Sequence, residues 1–153
     1  MPKLRKIKII TDACCRAPSD PKTGAMSGRG KSACGFAILD AQNNNVVEQR
    51  SKYLGEMSAP QAEYEGLIFA LDSAVEYCRN NVEVWMDSEL VIRQMNGDYC
   101  IRSPQIKLWF DQVKTLERRF LGAIRYFHHD RGTFWARQAD KLANGEYSRV
   151  HAG

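Results

Sequence analysis

Four acidic residues that are far apart in the chain could carry out chemistry together: Asp12, Glu63, Asp87 and Asp140. Each is predicted at the end of a strand or on the inward face of a helix. Carboxylates supply only hard oxygen ligands, which Mg²⁺ and Mn²⁺ prefer, and no histidine or cysteine obviously joins the set. Two such ions can generate a nucleophile from water and stabilise the leaving oxygen of an in-line phosphoryl displacement. The acidic set therefore predicts a two-ion magnesium or manganese site that hydrolyses a phosphodiester.

Asp87 directly follows residues 82–86, VEVWM, which are predicted to form a buried strand. Ligands in open α/β sheets collect beyond the carboxyl ends of strands, so this position favours a functional carboxylate. The alternative is that Asp87 only caps a helix that begins at Ser88. Asp12 ends a first predicted strand, residues 4–12, and this second acid at a strand end weakens the capping alternative.

Glu63 and Asp140 are predicted on helices, each on the side that faces the sheet. Glu63 shares its helix face with an apolar stripe. Its alternative role is a first-turn acid that interacts with the helix dipole. Asp140 lies on the same side as the small residue Ala136, which would let the helix approach the sheet closely. Its alternative is an exposed acid that pairs with Arg137 or Asn144.

The elements that must position these acids follow from periodicity and turn signals. Strands are predicted at residues 4–12, 32–40, 46–56, 82–86 and 123–129, and helices at 58–78, from 88, at 103–120 and at 131–149. Residues 13–31 are predicted to be a long loop. Three consecutive strands joined by short turns imply antiparallel pairing. The order of elements predicts an α/β fold, with a mixed sheet and helices on its faces.

Size and charge limit the classes of protein that are possible. With 153 residues the chain is most simply a single domain, residues 1–153. It has no apolar run of membrane-spanning length and no secretory signal, so we expect no membrane partner and a cytoplasmic location. We also expect a monomer. Residues 1–31 contain eight Lys or Arg against two Asp, which favours a polyanionic partner, although a solubilising surface is the alternative.

The five cysteines are Cys14, Cys15, Cys34, Cys78 and Cys100. Without a secretory signal they are predicted to be reduced and mostly buried. A zinc site at Cys14, Cys15 and Cys34 is disfavoured, because adjacent cysteines are poor tetrahedral partners.

Several motifs together resemble type 1 ribonuclease H, in the small form without a separate hybrid-binding domain. They are ITDA at 10–13, CGFAILD at 34–40, AEYEGLIFAL at 62–71, MDSELVIRQMNG at 86–97 and ADKLAN at 139–144. The resemblance implies a mixed five-stranded sheet, with three antiparallel strands followed by two parallel ones. It also implies that the four acids bind metal and that the substrate is the RNA strand of an RNA–DNA hybrid. The alternatives are another nuclease or strand transferase of the same fold, or a non-catalytic nucleic-acid-binding module.

The chain departs from the family pattern at several positions. Ala13 replaces the glycine that usually follows the first acid, and residues 58–60 read Ser-Ala-Pro where many members have Thr-Asn-Asn. Many members place a mobile histidine about ten residues before the last acid, where this chain has Asp130. Either His128 or His129 could take that role, or both could be surface histidines at a strand end.

Contacts to substrate beyond the acids are predicted from charge and hydroxyl groups. Arg16, Arg29 and Lys31 lie near the long loop and could meet phosphates. Ser58 could replace the family's threonine hydroxyl, and Ser88 could donate a hydrogen bond to a phosphate. Contacts of this kind position a nucleic acid without reading its sequence.

Overall fold

A computed structural model describes residues 4–18, 22 and 28–151. These residues form five strands and four helices. The elements are β1 (Ile7–Arg16), β2 (Gly30–Asp40), β3 (Val46–Met57), α1 (Ala59–Ala74), β4 (Val82–Met86), α2 (Glu89–Met95), α3 (Pro104–Glu117), β5 (Ile124–His128) and α4 (Phe134–His151).

The five strands form one mixed sheet in the order β3-β2-β1-β4-β5. The first three strands are antiparallel neighbours, and β4 and β5 add on as parallel strands. This arrangement confirms the predicted α/β fold, with three antiparallel strands followed by two parallel ones. The carboxyl ends of β1 and β4 consequently lie at the same edge of the sheet.

The first two strands are longer than their sequence pattern predicts. Residues 13–31 were predicted to be a loop, but Ala13 pairs with Cys34 and Arg16 pairs with Lys31, so the hairpin continues for four more residues on β1. The prediction was wrong at both ends of the loop because cross-strand pairing overrides the weak local pattern. Residues 19–21 and 23–27 of that predicted loop lie outside the described residues.

Serine residues begin three of the helices. Ser58 caps α1 by accepting a hydrogen bond from the backbone nitrogen of Gln61 at 3.3 Å. Ser88 caps α2 and Ser103 caps α3 in the same way. Ser88 is therefore the cap residue after β4, which leaves the Asp87 carboxylate available for another role. The last helix begins three residues later than predicted, at Phe134, because residues 130–133 form a turn.

The main core lies between one face of the sheet and helices α1, α2 and α3. Helix α4 covers part of the other face, and its buried residues are the small ones Ala136, Ala139 and Ala143. Gly35 of β2 makes this close approach possible, because a Cβ there would lie 2.5 Å from the Cβ of Leu142. None of the helices in the described part of the chain is long and apolar enough to cross a membrane.

All five cysteines are free thiols. Only Cys34 and Cys78 are buried, whereas Cys14 and Cys15 are half-buried and Cys100 is exposed. The prediction that most cysteines are buried was therefore wrong. The extended β1–β2 hairpin explains Cys14 and Cys15, since it carries them past the end of β4 to a less enclosed part of the sheet.

Candidate metal centre

Three of the four predicted acids meet at the carboxyl edge of the sheet. One carboxylate oxygen from each of Asp12, Glu63 and Asp87 lies within 4.8 Å of the others. Asp12 and Asp87 are adjacent because β1 and β4 are parallel. Ile10 on β1 pairs with Trp85 on β4, and each acid lies two residues after its member of that pair. The strand register therefore sets their separation.

Glu63 reaches the same point from α1, on the other face of the sheet. This is possible because β4 ends at Met86 while β1 continues to Arg16, so β1 has no strand partner on this side beyond Asp12. The half-buried backbone of Ala13 is close enough to Asp12 and Glu63 to lower the pKa of both carboxyl groups. The end of β4 thus opens the gap in which the acids converge.

The charges in this cluster are poorly compensated by the protein. Burial raises the pKa of Asp12 far above its usual range, and the nearby Glu63 and Asp87 carboxylates raise it further. Burial likewise raises the pKa of Glu63, with a second contribution from Asp87. The backbone of Ala13 lowers both pKa values, but by less than burial raises them. Mutual repulsion of this kind is relieved by protons or by a bound cation.

The donor set fits a hard divalent cation. The Oε2 atom of Glu63 is enclosed and has no hydrogen-bond partner among the described residues. A buried carboxylate oxygen without a partner is strongly unfavourable unless a positive group meets it. Three clustered carboxylates are ligands suited to Mg²⁺ or Mn²⁺. Within the described part of the chain, this is the group of His, Cys, Asp and Glu side chains that is close enough to hold an ion.

Asp140 lies at the mouth of the site rather than inside the cluster. It lines the same cavity of about 350 Å³ as the other three acids, but it is exposed and stands outside the group whose oxygens lie within 4.8 Å. Its Oδ1 atom accepts a hydrogen bond from Nδ2 of Asn144 at 3.0 Å. The pairing of Asp140 with Asn144, which the sequence offered as an alternative role, is therefore found in the structure. Asp140 nevertheless lines the cavity of the other acids.

Arg131 is a residue of this site that sequence reasoning missed. Its Nε atom lies 3.1 Å from Oδ2 of Asp87, although the arginine side chain is 89% exposed and the aspartate only 10%. Arg131 also lines the cavity. The sequence did contain a signal for it. Asp130 stands where many members of the family that the sequence resembles carry a histidine, and Arg131 is the basic residue next to it.

The two candidate histidines have different environments. His128 ends β5 and is exposed. His129 is half-buried, its backbone nitrogen donates to the carbonyl of Met86 at 2.9 Å, and its ring centre lies 6.3 Å from that of Trp85. Burial lowers the pKa of His129. Neither histidine lines the cavity of the acids, so the structure does not place either of them among the carboxylates.

The two predicted hydroxyl contacts, Ser58 and Ser88, serve as helix caps. The oxygen of Ser58 accepts from Gln61 and that of Ser88 accepts from Val91 at 3.4 Å. A capping hydroxyl accepts with its oxygen and keeps its own hydrogen available to donate. Each serine therefore keeps a hydroxyl hydrogen that it can donate, but neither residue lines the cavity of the acids.

The predicted basic contacts lie on the hairpin that borders the site. Arg16 lines the cavity, donates to Oδ1 of Asn144 at 3.1 Å and lies 3.9 Å from the ring centre of Tyr147. Arg29 donates to the backbone carbonyl of Glu56 at 2.9 Å, and Lys31 is exposed on β2. Among these three, Arg16 is the one that the structure brings next to the acids.

The protein family described as reverse transcriptase-like matches residues 21–145. Bifunctional protein Rv2228c of Mycobacterium tuberculosis is 30% identical over 122 residues, which are 79% of this chain and 32% of that protein. The chain thus spans about a third of the length of the first curated relatives it matches.

Two solved structures have similar folds. RNase H1 from the archaeon Halobacterium salinarum has a TM-score of 0.81 and 24% identity, and the match covers 94% of this chain and 98% of that one. LC11-RNase H1, solved in complex with an RNA/DNA hybrid, has a TM-score of 0.77 and 30% identity, with 92% of this chain and 95% of that one covered.

Proposed function

Because the chain belongs to the reverse transcriptase-like family and has the fold of type 1 ribonuclease H, we propose that it hydrolyses the RNA strand of RNA–DNA hybrids with two divalent cations. The observation that carries this proposal is the cluster of Asp12, Glu63 and Asp87, with its partnerless Glu63 oxygen. A purely structural role gives no reason to keep three mutually repelling carboxylates together.

Each acidic residue has a distinct position in the proposed site. Asp12 and Asp87 would bind metal from the ends of the parallel strands, and Glu63 would close the site from α1. Asp140 would add a ligand at the mouth, where Asn144 holds its carboxylate. Bound divalent ions would activate water and stabilise the leaving oxygen of the phosphodiester.

The positive groups around the cavity are suited to a nucleic-acid backbone. Arg16, at the end of β1, and Arg131, in the turn after β5, both line it. Such contacts position the phosphates, whereas a 2′-hydroxyl is what separates RNA from DNA. LC11-RNase H1, which is 30% identical over most of this chain, was solved with an RNA/DNA hybrid, and this supports the choice of substrate.

Cleavage of three labelled duplexes would test the proposal. An RNA–DNA hybrid, a duplex RNA and a duplex DNA of one sequence are incubated with the protein in Mg²⁺, in Mn²⁺ and in EDTA. We expect cuts in the RNA strand of the hybrid only, and only with a divalent ion. Cleavage of duplex DNA would instead indicate a different nuclease of the same fold, and hybrid binding without any cleavage would indicate a non-catalytic module.

Matched variants would connect any activity to the site. Asp87→Asn removes one carboxylate of the cluster and is expected to abolish cleavage while hybrid binding is retained. Asp72→Asn makes the same chemical change on the exposed part of α1, where Asp72 pairs with Arg119, and should leave the rate unchanged. Turnover by Asp87→Asn at the wild-type rate would refute the assignment of the site.

A further inference from the structure

A row of large apolar side chains lies directly below the acids on the α4 side of the sheet. Ile10, Trp85 and Phe127 occupy paired positions on β1, β4 and β5. Side chains alternate along a strand, so the residues two positions further on, Asp12, Asp87 and His129, project toward the same side at the sheet edge. Along β1 and β4, the apolar row and the acids are therefore about 7 Å apart.

Helix α4 covers only part of this face. It packs on β1 and β2 and to a smaller extent on β3, but it makes little contact with β4 or β5 in the described part of the chain. The rings of Trp85 and Phe127 consequently remain half-exposed and stack on each other, with centres 4.7 Å apart. Sheet faces with large rings are normally covered, so this uncovered area indicates a contact surface.

The uncovered area forms a cavity of about 220 Å³ whose walls are aromatic and whose charge is positive. Its lining residues are Lys8, Ile10, Trp85, His129, Thr133, Phe134 and Trp135. No acidic residue is among them. Phe134, the first residue of α4, is 62% exposed and projects its ring beside that of Trp135, with centres 4.9 Å apart.

The charges near the cavity favour an anionic ligand. Lys8 is in no ion pair among the described residues, so its ammonium group is available at the cavity wall. Glu83, which lies opposite Lys8 on β4, is already in ion pairs with Lys6 and Arg125. It also accepts a hydrogen bond from the indole nitrogen of Trp85, which fixes that ring.

We propose that this aromatic cavity binds the base of an unpaired nucleotide that adjoins the cleaved hybrid. Flat rings on several walls suit a base, because every base has a π-face that stacks on aromatic side chains. Lys8 would meet the phosphate of the same nucleotide. The strand spacing of about 7 Å between Trp85 and Asp87 places the cavity within one nucleotide of the acids. The inference rests on the proposed function for the position of the hybrid.

A preference among substrates follows from this placement. A paired base cannot enter the cavity without leaving its stack, and extrusion is easiest for a base that is already unpaired. The protein should therefore bind a hybrid with a single-stranded extension more tightly than a blunt hybrid of the same sequence. A stacked base contributes enough to make this advantage about 5- to 100-fold.

Fluorescence anisotropy in EDTA would measure this preference without turnover. The wild-type protein is titrated with a blunt hybrid and with hybrids extended by three nucleotides at each end in turn, at one fixed salt concentration. Each extended hybrid carries 2-aminopurine at its first unpaired position, and the fluorescence of this base reports stacking. We expect one extended hybrid to bind at least fivefold more tightly than the blunt one and its aminopurine to be quenched.

Two exposed apolar residues provide a variant and its control. Phe134→Ala removes a cavity wall at a 62% exposed position, and it should abolish most of the advantage and the quenching. Leu121→Ala, at an 85% exposed position outside the cavity, should retain both. Equal binding of blunt and extended hybrids by the wild type, or an advantage that survives Phe134→Ala, would overturn the inference.

The outcomes separate this inference from the proposed function. Cleavage of a blunt hybrid without any preference for extensions refutes the aromatic cavity alone. A preference for extended nucleic acid without cleavage in Mg²⁺ or Mn²⁺ refutes the proposed hydrolysis alone.

Discussion

Replacing Asp12 by asparagine should stabilise the metal-free protein and remove most of the stabilisation that Mg²⁺ provides. Asp12 is only 5% exposed and lies next to two other carboxylates. Asparagine has nearly the same shape, and its amide can donate a hydrogen bond to the neighbouring Asp87 or Glu63 oxygens. The change therefore removes repulsion without creating a void.

The expected size of the effect follows from the spacing of the cluster. Two unit charges 4.8 Å apart repel each other by about 3.5 kcal/mol at the effective dielectric constant of about 20 that suits protein sites. Proton uptake relieves part of this repulsion, because the pKa of Asp12 is raised. We expect Asp12→Asn to raise the free energy of unfolding by about 2–4 kcal/mol at pH 7–8, or the Tm by roughly 4–15 °C.

The sign of the pH dependence provides an internal check. The raised pKa values of Asp12 and Glu63 mean that the folded protein keeps protons that the unfolded chain releases above about pH 4. The metal-free wild type should therefore lose stability as the pH rises from about 4 toward the raised pKa values. The stability difference between Asp12→Asn and wild type should accordingly be small at pH 4 and grow with pH.

Thermal and urea unfolding in EDTA and in Mg²⁺ would measure these effects. An ion at 100 times its Kd stabilises the wild type by about 2.7 kcal/mol, and the variant should gain much less. The control is Asp72→Asn, whose exposed ion pair with Arg119 is worth no more than about 1 kcal/mol. A metal-free Asp12→Asn that is no more stable than wild type, or that gains as much from Mg²⁺, would refute the repulsion argument.

Three further variants test other parts of the structure. Gly35→Ala should lower the free energy of unfolding by about 1–3 kcal/mol, because its Cβ would collide with α4; unchanged urea unfolding would contradict this close contact. Tyr64→Phe removes the 2.7 Å hydrogen bond to the buried Gln94 and should cost about 1–3 kcal/mol in the same assay. Arg131→Gln should tighten Mg²⁺ binding about fivefold or less in titration calorimetry, because the guanidinium competes for Asp87; weaker binding would contradict that competition.

The sequence predicted the elements that carry the acids because their patterns are local. The pattern of a buried strand at residues 82–86 identified β4, and the predicted helix start at Ser58 lies next to the observed start of α1 at Ala59. The apolar stripe of α1 correctly placed Glu63 on the face that points to the sheet. These features depend on neighbours within a few residues, which is the range over which periodicity and capping act.

The extent of β1 and β2 could not be read locally. Residues 13–16 contain two adjacent cysteines and no clear alternation of apolar and polar residues. They become a strand because β2 provides backbone partners for them, from Lys31 to Cys34. That pairing joins residues separated by a long connection, and no short window of sequence contains it.

The sequence by itself determined which residues could do chemistry: four carboxylates, each at a strand end or on an inward helix face. The tertiary structure decided that Asp12, Glu63 and Asp87 converge, that Asp140 stands at the mouth, and that Arg131 faces Asp87. It also left the rings beside α4 uncovered. The physical reason is that residue type and periodicity are local properties, whereas distances between side chains depend on strand register, strand ends and loop paths, which only the packed chain sets.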